Sequence, residues 1–196
     1  MLVAASPAVA SVRELGVPAG QKLPAAACPT NCQVLARVTG YQVQSGRLRN
    51  PFQISHYGKI VAFSIALGKP SKNDTSGFNS LFGRQSQARL SILRLGRRQR
   101  QATLMSQSPV FNLNPYFGST PTFALPRPLR VRPRYVVALT IPTWAPAFAV
   151  GLSTEHTWRA PRNPRKCDDL QTPATHQRVG ATVSGFDSAN VGVEPR

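Results

Sequence analysis

Gly58 to Gly68 reads GKIVAFSIALG, and Tyr135 to Ile141 reads YVVALTI. In the first stretch Val61, Phe63, Ile65 and Leu67 share one face, and Ile60, Ala62, Ser64 and Ala66 share the other. In the second, Tyr135, Val137, Leu139 and Ile141 stand opposite Val136, Ala138 and Thr140. A period of two is the signature of a β-strand with one face on a core. The second faces are small and only mildly polar, so both segments are expected to be central strands.

Working outward, the same period recurs at Gln33–Val38, Tyr41–Gln44, Phe52–Ser55, Ala88–Leu95, Val110–Leu113, Thr122–Leu125, Leu129–Arg132 and Phe148–Leu152. Pro, Gly, Asn and Ser separate most of these runs by a few residues. Nine or ten short strands with no room for crossover helices predict an all-β, antiparallel two-sheet sandwich, jelly-roll-like. One helical turn is expected at Ser76–Gly83. There Phe78, Leu81 and Phe82 fall at i, i+3, i+4, Asp74, Thr75 or Ser76 can cap, and Gly83 can stop the turn. It should plug one end of the sandwich.

Three segments follow along the chain. Residues 1–27 read as a signal-peptide remnant and linker, because the apolar start ends in Ala8-Val9-Ala10, an A-x-A cleavage pattern with Ser11 as the new N-terminus. No basic leader precedes it, which predicts a start further upstream. Residues 28–165 read as the sandwich, and 166–196 as a basic and polar tail with a weak strand near Val179–Val183. Tyr135–Leu152 is eighteen residues without a charge, the length of a membrane span. Pro142, Pro146 and the period of two argue instead for two strands joined by a Pro-Thr-Trp-Ala-Pro turn, so no transmembrane segment is expected.

Cysteines stand at 28, 32 and 167. A tight turn brings Cα atoms four residues apart within disulfide range, which favours Cys28–Cys32. Chain entropy favours a longer Cys32–Cys167 link, at ~5 against ~2 kcal/mol. Both fit an oxidising compartment.

Charge is the outlier: 24 Lys and Arg against 7 Asp and Glu, a formal net charge of +17. Such a chain attracts nucleic acid, acidic polysaccharide or anionic lipid. Three basic groups stand out. Arg94, Arg97, Arg98 and Arg100 surround a hairpin loop; Arg130, Arg132 and Arg134 alternate, as an outward row on one strand would; Arg159, Arg162, Arg165 and Lys166 line the way into the tail. A solvated edge strand that resists aggregation accounts for the same pattern.

The stretches CPTNCQVLARVTGYQV (28–43), GKIVAFSIALGKP (58–70), ARLSILR (88–94), QSPVFNLNPYFGSTPTFALPRPLRV (107–131) and VVALTIPTWAPAFAVGL (136–152) resemble a group of secreted bacterial β-sandwich proteins of unknown function. The resemblance spans about residues 28–167. It implies export and a sandwich, and its motifs are strands and turns that carry no catalytic residue. It also implies a further cysteine and an aromatic closing strand after the position of Cys167. Here QTPATHQRVGATVSGFDSANVGVEPR stands instead, which predicts a divergent or frame-shifted end with Cys167 unpaired.

Catalytic patterns are wanting. The acids Glu14, Asp74, Glu155, Asp168, Asp169, Asp187 and Glu194 fall in expected loops, tails or strand ends, not as a carboxylate pair in a cleft. His56, His156 and His176 accompany no G-x-S-x-G elbow, and three cysteines without C-x₂-C spacing make no zinc site. No cofactor is expected, and the chain reads as a non-enzymatic module with a structural or binding role at the cell surface. Trp144, placed between two prolines at an expected loop tip, and Trp158 are candidate sugar-stacking surfaces together with Tyr57 and Tyr116; packing in the core or at its rim is the competing reading. A carbohydrate-binding module and a polyanion binder built on Arg130, Arg132 and Arg134 are the two alternatives.

Overall fold

A computed structural model describes residues 11–16, 24–97, 101–161, 178–184 and 186–190. Among them run β1 (Leu35–Ser45), β2 (Leu48–Arg49), β3 (Gly58–Ser64), α1 (Lys72–Phe82), β4 (Gln87–Leu95), β5 (Gln101–Gln107), β6 (Phe111–Asn112), β7 (Thr122–Val131), β8 (Tyr135–Ala145), β9 (His156–Pro161), β10 (Thr182–Ser184) and β11 (Phe186–Asn190). The chain is an all-β sandwich of two antiparallel sheets with one helix. The large sheet has the order β10-β5-β4-β8-β1-β9-β11, with β2 alongside β1 and β6 alongside β4, while β3 and β7 form a separate two-stranded ribbon.

The long strand β1 serves two neighbours. Its first half pairs with β8, from Leu35 opposite Ala145 to Gly40 opposite Leu139. Its second half pairs with β9, from Tyr41 opposite Arg159 to Ser45 opposite His156. Gly40 sits at the handover, where a Cβ would lie 3.3 Å from the Arg159 carbonyl oxygen and 3.6 Å from the Trp158 ring. A side chain here would press its neighbours back by a few tenths of an ångström, so glycine suits the close approach of the two strands.

Alternation along β4 and β8 buries both faces of the large sheet. Leu90, Ile92 and Val137 pack with Leu125, Leu129 and Val131 of the ribbon and with Ile54. Leu93, Val136 and Ala138 pack on the opposite face with Ala102, Leu104 and Tyr41. Each such Leu, Ile or Val contributes about 1.5–3 kcal/mol by leaving water, so these two strands hold the two layers together. At one end Phe82 of α1 meets Trp144 and Ala36, with Phe78 against them. The helix begins one turn earlier than its apolar spacing suggests. Ser71 and Asp74 form a reciprocal capping box, in which the Asp74 N–H donates to Ser71 Oγ and the Ser71 N–H to the Asp74 carboxylate. Leu81 is exposed rather than buried.

Prolines explain most departures from the expected strands. Thr122–Leu125 and Leu129–Arg132 join into β7, but the pairing jumps from Ile60–Leu129 to Ala62–Ala124. The intervening Leu125–Pro128 therefore bulges against Val61 alone. Pro126 and Pro128 have no N–H to give a ladder, so the bulge falls where they stand. It also breaks the alternation of the GKIVAFSIALG stretch: Ile65 and Leu67 are buried, whereas Val61 is 52% exposed. That stretch is half of the ribbon rather than a central strand. In β8 the strand runs through Pro142 to Ala145, because a second bulge, at Arg37 of β1, faces Pro142 and Thr143. No turn forms at Pro142–Pro146, and Phe148–Leu152 is not a strand. Phe52–Ser55 contributes one bridge, Gln53 to Val136.

Described residues from both expected flanks touch the sandwich. Leu15 packs against the core under the ribbon, and Gly16 lies on the Phe52 ring. Thr182–Ser184 pairs with β5 and Phe186–Asn190 with β9, so the sheet continues past residue 165. Among the described residues no helix is long and apolar enough to cross a membrane. Cys28 and Cys32 form a disulfide with Cα atoms 4.1 Å apart. Ala8–Ala10, Arg98, Arg100, Arg162, Arg165, Lys166, Cys167, Asp168, Asp169 and His176 lie outside the described residues.

Candidate polyanion face on the ribbon

The two-stranded ribbon turns one face to the core and one to solvent. Ile60, Leu129 and Val131 point inward, so their neighbours point out. Lys59 and Arg130 are direct cross-strand partners, and both are exposed. Opposite residues of an antiparallel pair have Cβ atoms about 4.5–5.5 Å apart, so two cations stand side by side here. Arg127 is exposed on the proline bulge of the same strand.

Arg132 and Arg134 do not extend a strand row, as their alternation suggests. They belong to the turn between β7 and β8, which the Tyr135 N–H closes by donating to the Arg132 carbonyl at 3.1 Å. Arg134 has φ +69°, outside the extended range of a regular strand, and its N–H donates to the Ile54 carbonyl at 2.9 Å. Both are exposed beyond the Gly58–Val131 end of the ribbon, and Tyr57, one residue past that pair on the facing strand, is 77% exposed. Among the described residues none of Lys59, Arg127, Arg130, Arg132 and Arg134 has an ion-pair partner. The nearby His56 Nδ1 shares a 2.7 Å hydrogen bond with Ser55 Oγ.

The aromatic candidates are dispersed. Trp144 is 0% exposed, which corrects its placement at a loop tip. It lies inside β8, and its Nε1–H donates to Asn79 Oδ1 at 3.1 Å and to the Gly83 carbonyl at 3.2 Å, fastening α1 to the sheet. Trp158 is half-buried in β9 beside Gly40. Tyr116 stands edge-on to Phe123, at 5.2 Å between ring centres. The four rings make no common platform.

Other chemistry-bearing residues are similarly spread. Arg94 and Arg97 are exposed around the β4–β5 loop. The Arg159 guanidinium reaches the Tyr41 hydroxyl, whose pKa is raised by burial and partly drawn back down by that cation. His156 Nδ1 lies 3.5 Å from Ser45 Oγ, and Glu155 is exposed. Asp74 is held in the helix cap. A shallow groove of about 600 Å³ lies between Pro24–Pro29, Ala66–Lys69 and Gly118–Thr120, and Lys69 is its charged member.

One polar feature gave no sequence signal. On the face of the large sheet turned away from the ribbon, in line with Leu93, Val136 and Ala138, Thr39 Oγ1 lies 2.9 Å from Thr140 Oγ1, and Thr140 Oγ1 lies 2.7 Å from Ser91 Oγ. Gln107 Nε2 in turn donates to Ser91 Oγ at 3.0 Å. This belt crosses β1, β8, β4 and β5, and its three hydroxyl residues are buried. Arg89, the cross-strand partner of Thr140, has a buried Nε with no hydrogen-bond partner. Thr and Ser at alternate positions read as an ordinary solvent face, and only the folded sheet shows that they are buried.

No family model matches the chain, and neither a curated protein nor a solved structure does.

Proposed function

We propose that this chain is an exported, non-catalytic binding module that holds a polyanion on the outer face of the β3–β7 ribbon. The observation that carries this reading is the Lys59–Arg130 pair, exposed and directly opposite, with Arg127, Arg132 and Arg134 close in the chain and no carboxylate paired to any of them among the described residues. Like charges directly opposite across a strand pair are destabilising, a cost that anionic oxygens bridging the two would remove. Arginine suits such oxygens because its planar fork donates to two of them at once. The net charge of +17 adds long-range attraction and faster encounter. Export is supported by the Cys28–Cys32 disulfide and the A-x-A pattern at Ala8–Ala10. The sugar-stacking alternative loses its main support, since Trp144 is sealed inside the sheet.

Affinity for a heparin fragment, measured between 50 and 500 mM salt, tests the proposal. Reversing two contacts, Lys59→Glu with Arg130→Glu, should flatten the plot of log affinity against log salt by about two contacts' worth. The control Arg94→Glu with Arg97→Glu changes net charge equally on the β4–β5 loop and should leave the slope nearly intact. Equal losses from both double variants would show attraction by overall charge alone and refute a ribbon site.

A further inference from the structure

The basic face ends in an aromatic ring. Tyr57 is 77% exposed, lies one residue beyond the last ladder pair, Gly58–Val131, and has no ring partner among the described residues. Arg132 lies one residue beyond the same pair on the other strand, and Lys59 and Arg130 one residue before it. A ring free to stack thus sits within two residues of three cations. The outer positions of the ribbon near Tyr57 are Lys59 and Arg130, with no Asp, Glu, Asn or Gln among them, while the exposed hydroxyls of Ser64 and Thr122 stand at the far end and bond to each other at 2.7 Å. Sugar hydroxyls need acceptors as well as donors, and the Lys59 and Arg130 side chains at the Tyr57 end of this face offer donors. A nucleotide asks for what it does offer: bidentate donors for phosphate and a flat ring for a base. A base presents its flat face only when it is outside a duplex.

We infer that the polyanion is a single-stranded nucleic acid, with a base stacked on Tyr57 and its flanking phosphates on Lys59, Arg130 and Arg132. This rests on the ribbon reading above and narrows it to one ligand class. Binding is sequence-tolerant, because every base has a π-face.

The test measures fluorescence anisotropy with the full chain and three probes: a fifteen-nucleotide oligothymidylate, a fifteen-base-pair duplex and a heparin fragment. Tyr57→Ala should weaken oligothymidylate binding on the order of tenfold and change duplex and heparin binding less than twofold. Tyr57→Phe, which keeps the ring, should bind oligothymidylate as the parent does. Lys59→Glu with Arg130→Glu should weaken all three. Equal effects of Tyr57→Ala on every probe, or none on oligothymidylate, would overturn the stacking inference while leaving the ribbon as a charge site. A charge reversal without effect on any probe would overturn the ribbon reading itself.

Discussion

Thr140→Val removes one oxygen from the middle of the buried hydroxyl belt and leaves the shape of the side chain almost unchanged. Thr39 then loses its hydrogen-bond partner across the strands, and Ser91 keeps only Gln107. A buried hydroxyl left unpaired costs about 1–3 kcal/mol and a lost partnered bond about 1 kcal/mol, so the substitution should cost about 3 kcal/mol. Thr39→Val trims the end of the belt, leaves Thr140 bonded to Ser91, and should cost about 1 kcal/mol. In the double variant Thr39 is no longer there to be stranded, and the cost should be about 2 kcal/mol, well under the sum of about 4. Urea unfolding followed by fluorescence measures this. With a slope near 2 kcal/mol per molar, Thr140→Val should lower the midpoint by about 1.5 M. The two substitutions adding within about 0.5 kcal/mol would mean that the hydroxyls are not coupled, and the belt would be geometry without energetic consequence.

Three further outcomes follow from the core. Burial raises the Tyr41 pKa above its ordinary 10.0 despite the opposing Arg159, so above pH 10 the native state keeps a proton that the unfolded chain has lost. The stability present below pH 10 should therefore fall as pH rises through the native pKa, and Tyr41→Phe should flatten that fall; parallel melting curves for the two proteins above pH 10 would contradict it. Arg89→Met keeps the apolar stem but removes a buried, partnerless Nε–H, so urea unfolding should show stability unchanged or raised by about 1 kcal/mol, and a loss larger than that would mean Arg89 is satisfied in solution. Trp144→Ala should cost about 3–5 kcal/mol, and its circular dichroism should show lost cooperativity of melting, whereas a well-folded variant with unchanged stability would place Trp144 at the surface.

The sequence was most legible where one residue decides one backbone choice. Alternation from Val136 to Ile141 marks β8 as central, and the spacing of Cys28 and Cys32 favours the disulfide that forms, although chain entropy alone favours Cys32–Cys167. Gly83 marks where α1 ends. It was least legible where pairing with a distant strand overrides local pattern. Gln101–Gln107 (QATLMSQ) looks too polar for a strand, yet Ala102 and Leu104 are buried because β4 supplies the ladder. Pro142-Thr143-Trp144-Ala145-Pro146 has the composition of a turn, yet a bulge in β1 absorbs the missing N–H. The candidate site was read in part. Arg130, Arg132 and Arg134 were picked out by spacing alone, but the turn that redirects Arg132 and Arg134 needs the backbone. The partnership of Lys59 with Arg130 depends on a register spanning some seventy residues, which one strand's composition does not encode.

Strand β1 has one more consequence, and it concerns order of assembly. Thr39 and its partner Thr140 are 101 residues apart, and the second half of the strand waits longer still, for β9. At a synthesis rate of ~5–20 residues per second, the ribosome needs ~5–20 s to deliver β8 after β1 has emerged. For that interval an eleven-residue segment is paired only at its end, where Gln44 and Ser45 meet the two-residue β2. Its rescue depends on loop closure over a long span, which makes nucleation slow and leaves the nascent chain a natural client for a holdase.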